Sequence, residues 1–511
     1  MLAEQEHSLT NDRPQVRASQ IARRGLLARA GGAALLLPAL LLVFSVPFVS
    51  PTDADYWWHV RTGQLIRATG AVPHADVYSF TAAGHPWVAQ EWLTEVALAA
   101  VAGWFGYVGN AVLFGLLGAA ALACVALACR RRGVGWLTTA FCTFWAGVMC
   151  LPSLGVRPQL TTLALAALTA FLLTGYEQGQ RRALWVLPPL FALWANLHAG
   201  YLIGLALLAL ATAGAALTWL ARRQAPTPFP LLATTVLSGL ATLLTPHGLD
   251  VLRYPLSYGR ENASLQFIAE WQSPNFHSPL FWPFAASLLL AVVLGVGRRS
   301  VGATAALWTV LFAFLGLQSI RHIPLYAVVV TPVLAARLSE GLRALPALPL
   351  RWRGPARAGA ALLAVLLPLL LLGGQALAVG AGQWQFGREP SAAGYPAGAV
   401  AFIEAHHLAG PIFNEYRWGG YLIARLWPQE RVFIDGRADP YGDALLARYR
   451  DTVQARSGWR QTLDDYQIQL VLIDVNSPLA AALAADPAWQ QVYSDDTARL
   501  FQRRTIGQHL R

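Results

Sequence analysis

The sequence predicts a mainly α-helical, polytopic membrane protein of about eleven transmembrane helices with a small external α/β domain at its C-terminus. Three observations support this prediction. The chain of 511 residues is 55% apolar and only 13% charged, whereas soluble domains are about 25% charged. Its apolar residues form long runs, and short clusters of arginine separate these runs. From about Gln383 onward, short strands and helices alternate as in a soluble domain.

The formal net charge of +11 would suit a nucleic-acid partner, but the positions of the basic residues argue against one. Arginines between apolar runs follow the positive-inside pattern, in which basic loops remain cytoplasmic. The clusters are Arg23-Arg24, Arg130 to Arg132, Arg181-Arg182, Arg222-Arg223, Arg298-Arg299 and the arginines from Arg337 to Arg357. The basic charge therefore reports topology and contact with membrane lipid.

Because a span needs about 20 apolar residues, the apolar runs predict the helices and the arginine clusters predict their direction. The first run is too long for a signal-peptide core, so it is expected to remain as a span. The predicted spans cover about 25–49, 106–129, 134–150, 160–176, 183–197, 200–221, 229–246, 280–297, 302–319, 323–338 and 358–380. The N-terminus is then cytoplasmic and the C-terminus external.

Three regions follow from this topology. They are a cytoplasmic tail at 1–24, a transmembrane domain at 25–382 with external loops at about 50–105 and 247–279, and an external domain at 383–511. The segments GPIFNEY, RVFIDGR and LVLID predict strands, and DPYGDALLARYRDTVQAR predicts a helix that Asp439 and Pro440 open. We expect an integral membrane protein, in a bacterial inner membrane, with this last domain outside.

The stretch DADYWWH, directly after the first span, carries Asp53 and Asp55. Two aspartates at this spacing can present hard oxygen ligands to Mg²⁺ or Mn²⁺ at the membrane surface. The alternative is that both carboxylates cap a helix and that Trp57 and Trp58 are interfacial aromatics. The four cysteines lie in or beside apolar segments without metal-binding spacing, and they are predicted to be buried and inert.

Other polar residues of the predicted external face are also candidates, because ionisable groups at membrane depth are costly unless they are used or paired. Arg321 lies at the start of the tenth predicted span, where its guanidinium could donate two hydrogen bonds to a lipid phosphate. The alternative is that it is a cation whose side chain extends to the membrane surface. Glu270 is a second candidate, or a surface partner of Arg253 or Arg260. His198 is as well explained by packing.

Four segments resemble one family, the membrane-embedded glycosyltransferases of the C superfamily, and most closely the catalytic subunit of oligosaccharyltransferase. DADYWWHVRTGQLI resembles the loop whose aspartate binds a divalent cation, and SLQFIAEWQSP resembles a loop motif with a glutamate. SIRHIPLYAVVVTPVLA resembles the span whose arginine contacts the donor phosphate. NEYRWGGYLIARLWPQERVFIDGR resembles the region near the acceptor. The turn SLGVRPQ lacks the carboxylate of the family's second acidic motif.

The resemblance implies transfer of a glycosyl group from a polyprenyl-phosphate-linked donor to a glycan, lipid or protein acceptor on the external face. Asp55, with Asp53 and Glu270, would hold a divalent cation (Mg²⁺ or Mn²⁺) or act as base. Arg321 would bind the donor phosphate. Further substrate-binding candidates are Trp57, Trp58, His59, Arg157, His198, Glu415 and Tyr416. The alternative function is a non-catalytic scaffold or transporter for envelope polysaccharide.

Overall fold

A computed structural model describes residues 30–49, 53–222, 225–253, 269–295, 302–344, 346, 350–380 and 394–504. The predicted tail at 1–24 and the predicted boundary at 382/383 lie outside the described residues. The protein is mainly helical, and each of the eleven predicted spans contains a helix. These helices are Leu37–Val49 (α1), Trp92–Arg131 (α3), Trp136–Cys150 (α4), Gln159–Glu177 (α5), Ala183–Leu197 (α6), Tyr201–Ala221 (α7), Phe229–Ala241 (α8), Trp282–Val293 (α9), Ala303–Gln318 (α10), Ile323–Ala344 (α11) and Leu350–Gly380 (α12), with Tyr56–Thr69 (α2) in the loop after α1.

Six helices are long and apolar enough to cross a membrane, judged over the described residues by length and composition. They are Ala30–Val49, Trp92–Arg131, Gln159–Glu177, Tyr201–Ala221, Ile320–Ala344 and Gly354–Val379. The remaining predicted spans coincide with helices of 12 to 16 residues, which are short for a bilayer crossing. The number of crossings and their direction remain predictions.

Helix α3 is longer than the predicted span because it begins fourteen residues earlier, at Trp92 rather than at 106. Gly106 interrupts it with φ 62° and ψ −159°, a conformation that only glycine adopts without strain. The residues before Gly106 form an arm that packs against α2. Gly63 allows this contact, since a β-carbon there would lie 1.9 Å from the Glu95 carbonyl oxygen.

Helices α11 and α12 illustrate two environments. Helix α11 is apolar on all sides from Ile323 to Ala335 and packs against α3, α4, α5 and α10. In the most apolar stretch of α11, 67% of the residues are buried inside the protein, whereas in that of α12 only 11% are. An apolar helix with so little protein contact has a surface suited to lipid, so α11 is the central helix and α12 a peripheral one.

The C-terminal region (394–504) contains a four-stranded sheet of order β1-β2-β4-β3. The strands are Ile412–Asn414 (β1), Leu470–Asp474 (β2), Trp489–Ser494 (β3) and Ala498–Arg503 (β4). Strand β1 is parallel to β2, and the other pairings are antiparallel. The helices are Ala397–Ala405 (α13), Gly419–Leu426 (α14), Gly442–Val453 (α15), Trp459–Asp465 (α16) and Pro478–Ala484 (α17). The sequence did not predict β3 and β4.

The prediction of a strand at RVFIDGR was wrong. Val432 makes only isolated bridges, to Ser79 and to Ile412. Beyond it, the Asn414 side chain takes the place of a neighbouring strand, since its Oδ1 accepts from the Phe433 N–H at 2.9 Å and its Nδ2 donates to the Ile434 carbonyl at 2.8 Å. The segment therefore turns instead of continuing a ladder.

The C-terminal region packs directly on the loop between α1 and α3 (53–91), here called the first loop. The Val432 N–H donates to the Tyr78 carbonyl at 3.1 Å, and the Phe80 N–H donates to the Val432 carbonyl at 3.2 Å. The Trp427 indole donates to the Val77 carbonyl at 3.0 Å. These contacts fix the C-terminal region over the residues that the sequence analysis singled out.

Candidate functional site

A cavity of about 510 Å³ lies where the first loop, the starts of α5, α7 and α11, residues 270–271 and residues 436–439 meet. One part of its wall is polar and the other apolar. The polar and charged lining residues include Asp55, His59, Gln90, Glu91, Arg157, His198, Glu270, Arg321, Arg437 and Asp439. The apolar lining residues include Leu160, Leu163, Leu202, Ile203 and Leu325.

Asp55 stands immediately before α2, but its side chain does not cap that helix. Its Oδ1 accepts instead from the Trp58 indole N–H at 2.9 Å, and its own N–H donates to Asp53 Oδ1 at 3.1 Å. Burial, followed by the charge of Asp53, raises the pKa of Asp55 to about 7. A carboxyl with such a pKa can accept a proton near neutral pH.

Arg157 joins the two remaining carboxylates of the predicted set. Its Nε donates to Asp53 Oδ2, and its Nη1 donates to Glu270 Oε1 at 2.5 Å. Burial lowers the pKa of Arg157, but Asp53 and Glu270 raise it more, so the net shift is upward. Of the two partners proposed for Glu270, Arg253 pairs with Asp250 at 3.3 Å, and Arg260 lies outside the described residues.

Arg321 is half-buried in the cavity wall, with its guanidinium 4.9 Å from the ring centre of Trp271. Two hydrogen bonds hold the segments together, since Ser319 Oγ donates to the Glu270 carbonyl at 2.9 Å and the Ile320 N–H donates to the Gln272 carbonyl at 3.0 Å. Arg321 forms no ion pair with any carboxylate in the described parts of the chain. Its charge is therefore available to an anion in the cavity.

His198 and Glu91 face each other across the cavity, with His198 Nε2 3.8 Å from Glu91 Oε1. The Gly200 N–H donates to His198 Nδ1 at 2.9 Å, so the ring proton of the neutral histidine is on Nε2. Burial lowers the pKa of His198 to about 3, and burial raises the pKa of Glu91 to about 7 against the opposing charge of Arg321. Nothing in the sequence distinguishes Glu91 from the other polar residues of the first loop.

The C-terminal region adds Arg437 and Asp439 to the cavity, and the sequence predicts a site role for neither of them. The Arg437 Nη2 lies 2.7 Å from Asp76 Oδ1 and 2.6 Å from Asp435 Oδ2. Its guanidinium is also 4.7 Å from the ring centre of Trp87. The buried atoms Arg437 Nη1 and Asp439 Oδ1 have no hydrogen-bond partner among the residues that the structure describes. The available signal is the charge-dense segment DGRADP, in which the predicted strand ends and the predicted helix begins.

Not every predicted residue lines the cavity. Trp58 and His59 do, and His59 Nδ1 shares a hydrogen bond of 3.0 Å with Glu95 Oε1. Trp57 is buried elsewhere, with its ring centre 5.2 Å from that of Tyr421. Glu415 and Tyr416 lie within the C-terminal region, where the Tyr416 N–H donates to the Tyr449 hydroxyl at 2.7 Å. The structure therefore does not bring these three residues to the cavity.

The expected divalent cation has a poor donor set here. Over the described residues, no group of three or more His, Cys, Asp or Glu side chains is placed to hold a metal ion. Asp53 and Glu270, two of the three predicted ligands, direct oxygens to the Arg157 guanidinium. Mg²⁺ requires several oxygen ligands in octahedral geometry, and the arginine occupies the space between the carboxylates. The residues present fit an arginine and not a metal.

Comparison with known proteins gives similarity in structure but not in sequence. No protein-family model matches the chain, and no curated protein matches its sequence. The arabinofuranosyltransferase AftD from Mycobacteria has a TM-score of 0.51 at 17% identity, over 93% of this chain and 40% of AftD. The archaeal oligosaccharyltransferase AglB from Archaeoglobus fulgidus, in complex with an inhibitory peptide and a dolichol-phosphate, has a TM-score of 0.53 at 12% identity, over 87% of this chain and 69% of AglB.

A third structure matches almost end to end. ArnT from Cupriavidus metallidurans, bound to undecaprenyl phosphate, has a TM-score of 0.51 at 15% identity, over 92% of this chain and 98% of ArnT. This chain has the fold of the C-superfamily glycosyltransferases. The resemblance inferred from the four sequence segments is confirmed at the level of the fold. The apolar helices and the similarity to membrane glycosyltransferases support an integral membrane protein.

Proposed function

We propose that this C-superfamily protein transfers a glycosyl group from a polyprenyl-phosphate-linked donor to an acceptor on the external face of the bacterial inner membrane. The observation that carries the proposal is that Asp55, a carboxyl with a pKa raised to about 7, and Arg321, a cation without an ion-pair partner among the described residues, line one cavity. The solved complexes of ArnT with undecaprenyl phosphate and of AglB with a dolichol-phosphate support a lipid-phosphate ligand.

The cavity has a wall for each part of such a donor. The apolar residues of α5 and α7 suit the first prenyl units, because burying hydrocarbon is favourable by about 25 cal/mol per Å². Arg321 suits the phosphate, since a guanidinium can donate two parallel hydrogen bonds to phosphate oxygens. The unpartnered atoms of Arg437 and Asp439 suit hydroxyl groups of a sugar or an acceptor.

In the proposed reaction, an acceptor hydroxyl oxygen forms a bond to the anomeric carbon of the donor. The bond from that carbon to the phosphate oxygen breaks, and its electron pair leaves with the polyprenyl phosphate. The proton of the acceptor hydroxyl moves to the Asp55 carboxylate. Arg321 stabilises the negative charge that develops on the departing phosphate, and fixed charges of this kind are a large part of enzyme catalysis.

The test is transfer of radiolabelled sugar from a panel of polyprenyl-phosphate donors to membrane extracts. Asp55→Asn should lower the rate by about 10²–10⁴-fold through loss of the base, and Arg321→Ala by about 10²–10³-fold. Arg253→Ala is the matched control, because the Arg253 side chain is 75% exposed and, among the described residues, its ion pair is with nearby Asp250. Full activity in both site variants would refute the assignment, and no transfer from any donor would favour the scaffold or transporter.

A further inference from the structure

We propose that Arg157 is a built-in cation that takes the place of a divalent metal ion between Asp53 and Glu270, so that the site works without metal. The inference deepens the proposed transfer function and rests on it for its chemical meaning. Its experimental test, described below, requires no transfer.

The geometry places one guanidinium between carboxylates from separate parts of the chain. Asp53 belongs to the first loop, Glu270 lies in the segment before α9, and Arg157 lies in the turn between α4 and α5. Nε donates to Asp53 and Nη1 donates to Glu270 at 2.5 Å, so different nitrogens of one planar group face the two acids. A metal ion joins distant carboxylates in the same way, by placing positive charge between them.

The turn that supplies Arg157 is well fixed. The Leu160 N–H donates to the Arg157 carbonyl at 3.0 Å as α5 begins, which holds the residue at the start of a helix. The Arg157 side chain is 21% exposed, and that of Asp53 is 12% exposed. The ion pairs are therefore partly shielded from water. Opposite charges attract each other more strongly in such a shielded place than at an exposed surface.

The charges favour arginine over a metal for a second reason. Asp55 stands next to Asp53, with its N–H bonded to the Asp53 carboxylate at 3.1 Å. Removing the guanidinium of Arg157 would take away the ion-pair partner that Asp53 and Glu270 share among the described residues. An arginine remains charged at any accessible pH and, unlike a bound ion, cannot be removed by a chelator.

The experiment measures thermal unfolding of the purified full chain in detergent with EDTA, MgCl₂ or MnCl₂. For the wild type we expect the same Tm in all three. Arg157→Ala should have a lower Tm, and MnCl₂ should raise it in a saturable manner, because the freed carboxylates then bind the ion and ligand binding stabilises the folded state. In Arg157→Ala/Asp53→Asn this response to MnCl₂ should disappear.

Arg157→Lys is the second variant if Arg157→Ala does not fold, since it keeps a positive charge but loses the two-sided geometry. It should have a reduced Tm that responds weakly to MnCl₂. Arg253→Ala is the control and should behave as the wild type. A saturable rise of the wild-type Tm with MgCl₂ or MnCl₂ that Asp53→Asn abolishes would overturn the proposal, as would an Arg157→Ala variant without any response. Failure to find a donor would instead refute the proposed function alone.

Discussion

Gly436 of the C-terminal region lies so close to Asp55 of the first loop that a β-carbon at residue 436 would be 1.8 Å from Asp55 Oδ1. The carboxylate thus has backbone of the C-terminal region on one side and the Trp58 indole on the other. This contact restricts Asp55 to one position and excludes water from one of its faces. It also explains why a glycine is required there.

Gly436→Ala is expected to displace Asp55 and to reduce transfer activity by at least tenfold, because a methyl group cannot share the space of the carboxylate oxygen. Gly239→Ala is the control, since nothing lies within 4 Å of a β-carbon at that helical position. The measurement is the transfer rate of both variants at a temperature below the Tm of each, so that both are folded. Equal rates for both substitutions would contradict the steric argument.

The pH dependence of transfer should follow the ionisation of Asp55. Its pKa is raised to about 7, chiefly by burial, so the active carboxylate is depleted below that pH and kcat/KM should fall about tenfold per pH unit there. Glu91 also has a pKa raised to about 7 by burial. The Glu91→Gln variant should have a pH profile with the same midpoint as the wild type. If the pH dependence near that midpoint disappears in this variant, the base is Glu91 and not Asp55.

Stability should depend on pH in the opposite sense. The folded state binds the Asp55 proton more tightly than the unfolded state, whose aspartates titrate near pH 4, so the buried charge destabilises the fold increasingly from about pH 4 to pH 7 and fully above that range. The Tm of Asp55→Asn minus the Tm of the wild type should therefore increase from pH 5 to pH 8. The exposed Asp250→Asn is the control. A Tm difference between Asp55→Asn and the wild type that is the same at pH 5 and at pH 8 would contradict the prediction.

Removal of Arg437 should be strongly destabilising. Arg437→Ala leaves Asp76 and Asp435 buried without their cation, and breaking a buried pair in this way typically costs about 3–5 kcal/mol. Restoring the balance in Asp76→Asn/Asp435→Asn/Arg437→Met should recover part of the loss. Chemical denaturation with tryptophan fluorescence measures both. An Arg437→Ala variant as stable as the wild type would show that the ion pairs of Arg437 are not buried in the folded protein.

Trp271 should contribute to lipid-phosphate binding through Arg321. The ring holds the guanidinium by a cation–π contact at 4.9 Å, and loss of such a contact costs about 0.5–1 kcal/mol. Trp271→Ala should therefore weaken binding of a fluorescent polyprenyl phosphate by about 2–5-fold, and Trp271→Phe by less. An alanine variant with wild-type affinity would show that Arg321 needs no support from the ring.

The membrane part of the fold could be predicted because its signal is local. Runs of apolar residues and the arginines between them are visible in any single stretch, and a helix lies in each of them. The start of α3 could not be predicted, because the arm before Gly106 is separated from the rest of the helix by a kink and packs against α2, which is distant from the membrane run. Asn414 is a similar case, since its competition with a strand depends on a segment twenty residues away.

Among the residues that line the cavity, the sequence could single out only those whose side-chain type carries its own chemistry. Asp55 and Arg321 belong to this class, and the structure places both at one cavity. The partner of Glu270 could not be predicted, because Arg157 is distant in sequence and nearer arginines were available. Glu91, Arg437 and Asp439 depend on the docking of the C-terminal region onto the first loop, a long-range contact for which one sequence has no local signal.

The wall that residues 436–439 contribute has a consequence for biosynthesis. A ribosome makes the chain from its N-terminus, so the first loop and most membrane helices exist before this part of the cavity has been synthesised. During that interval Asp55 lacks the backbone that encloses it, and the cavity is open on that side. The cavity is therefore completed late, and a nascent or prematurely terminated chain would have the membrane helices without the wall that residues 436–439 form.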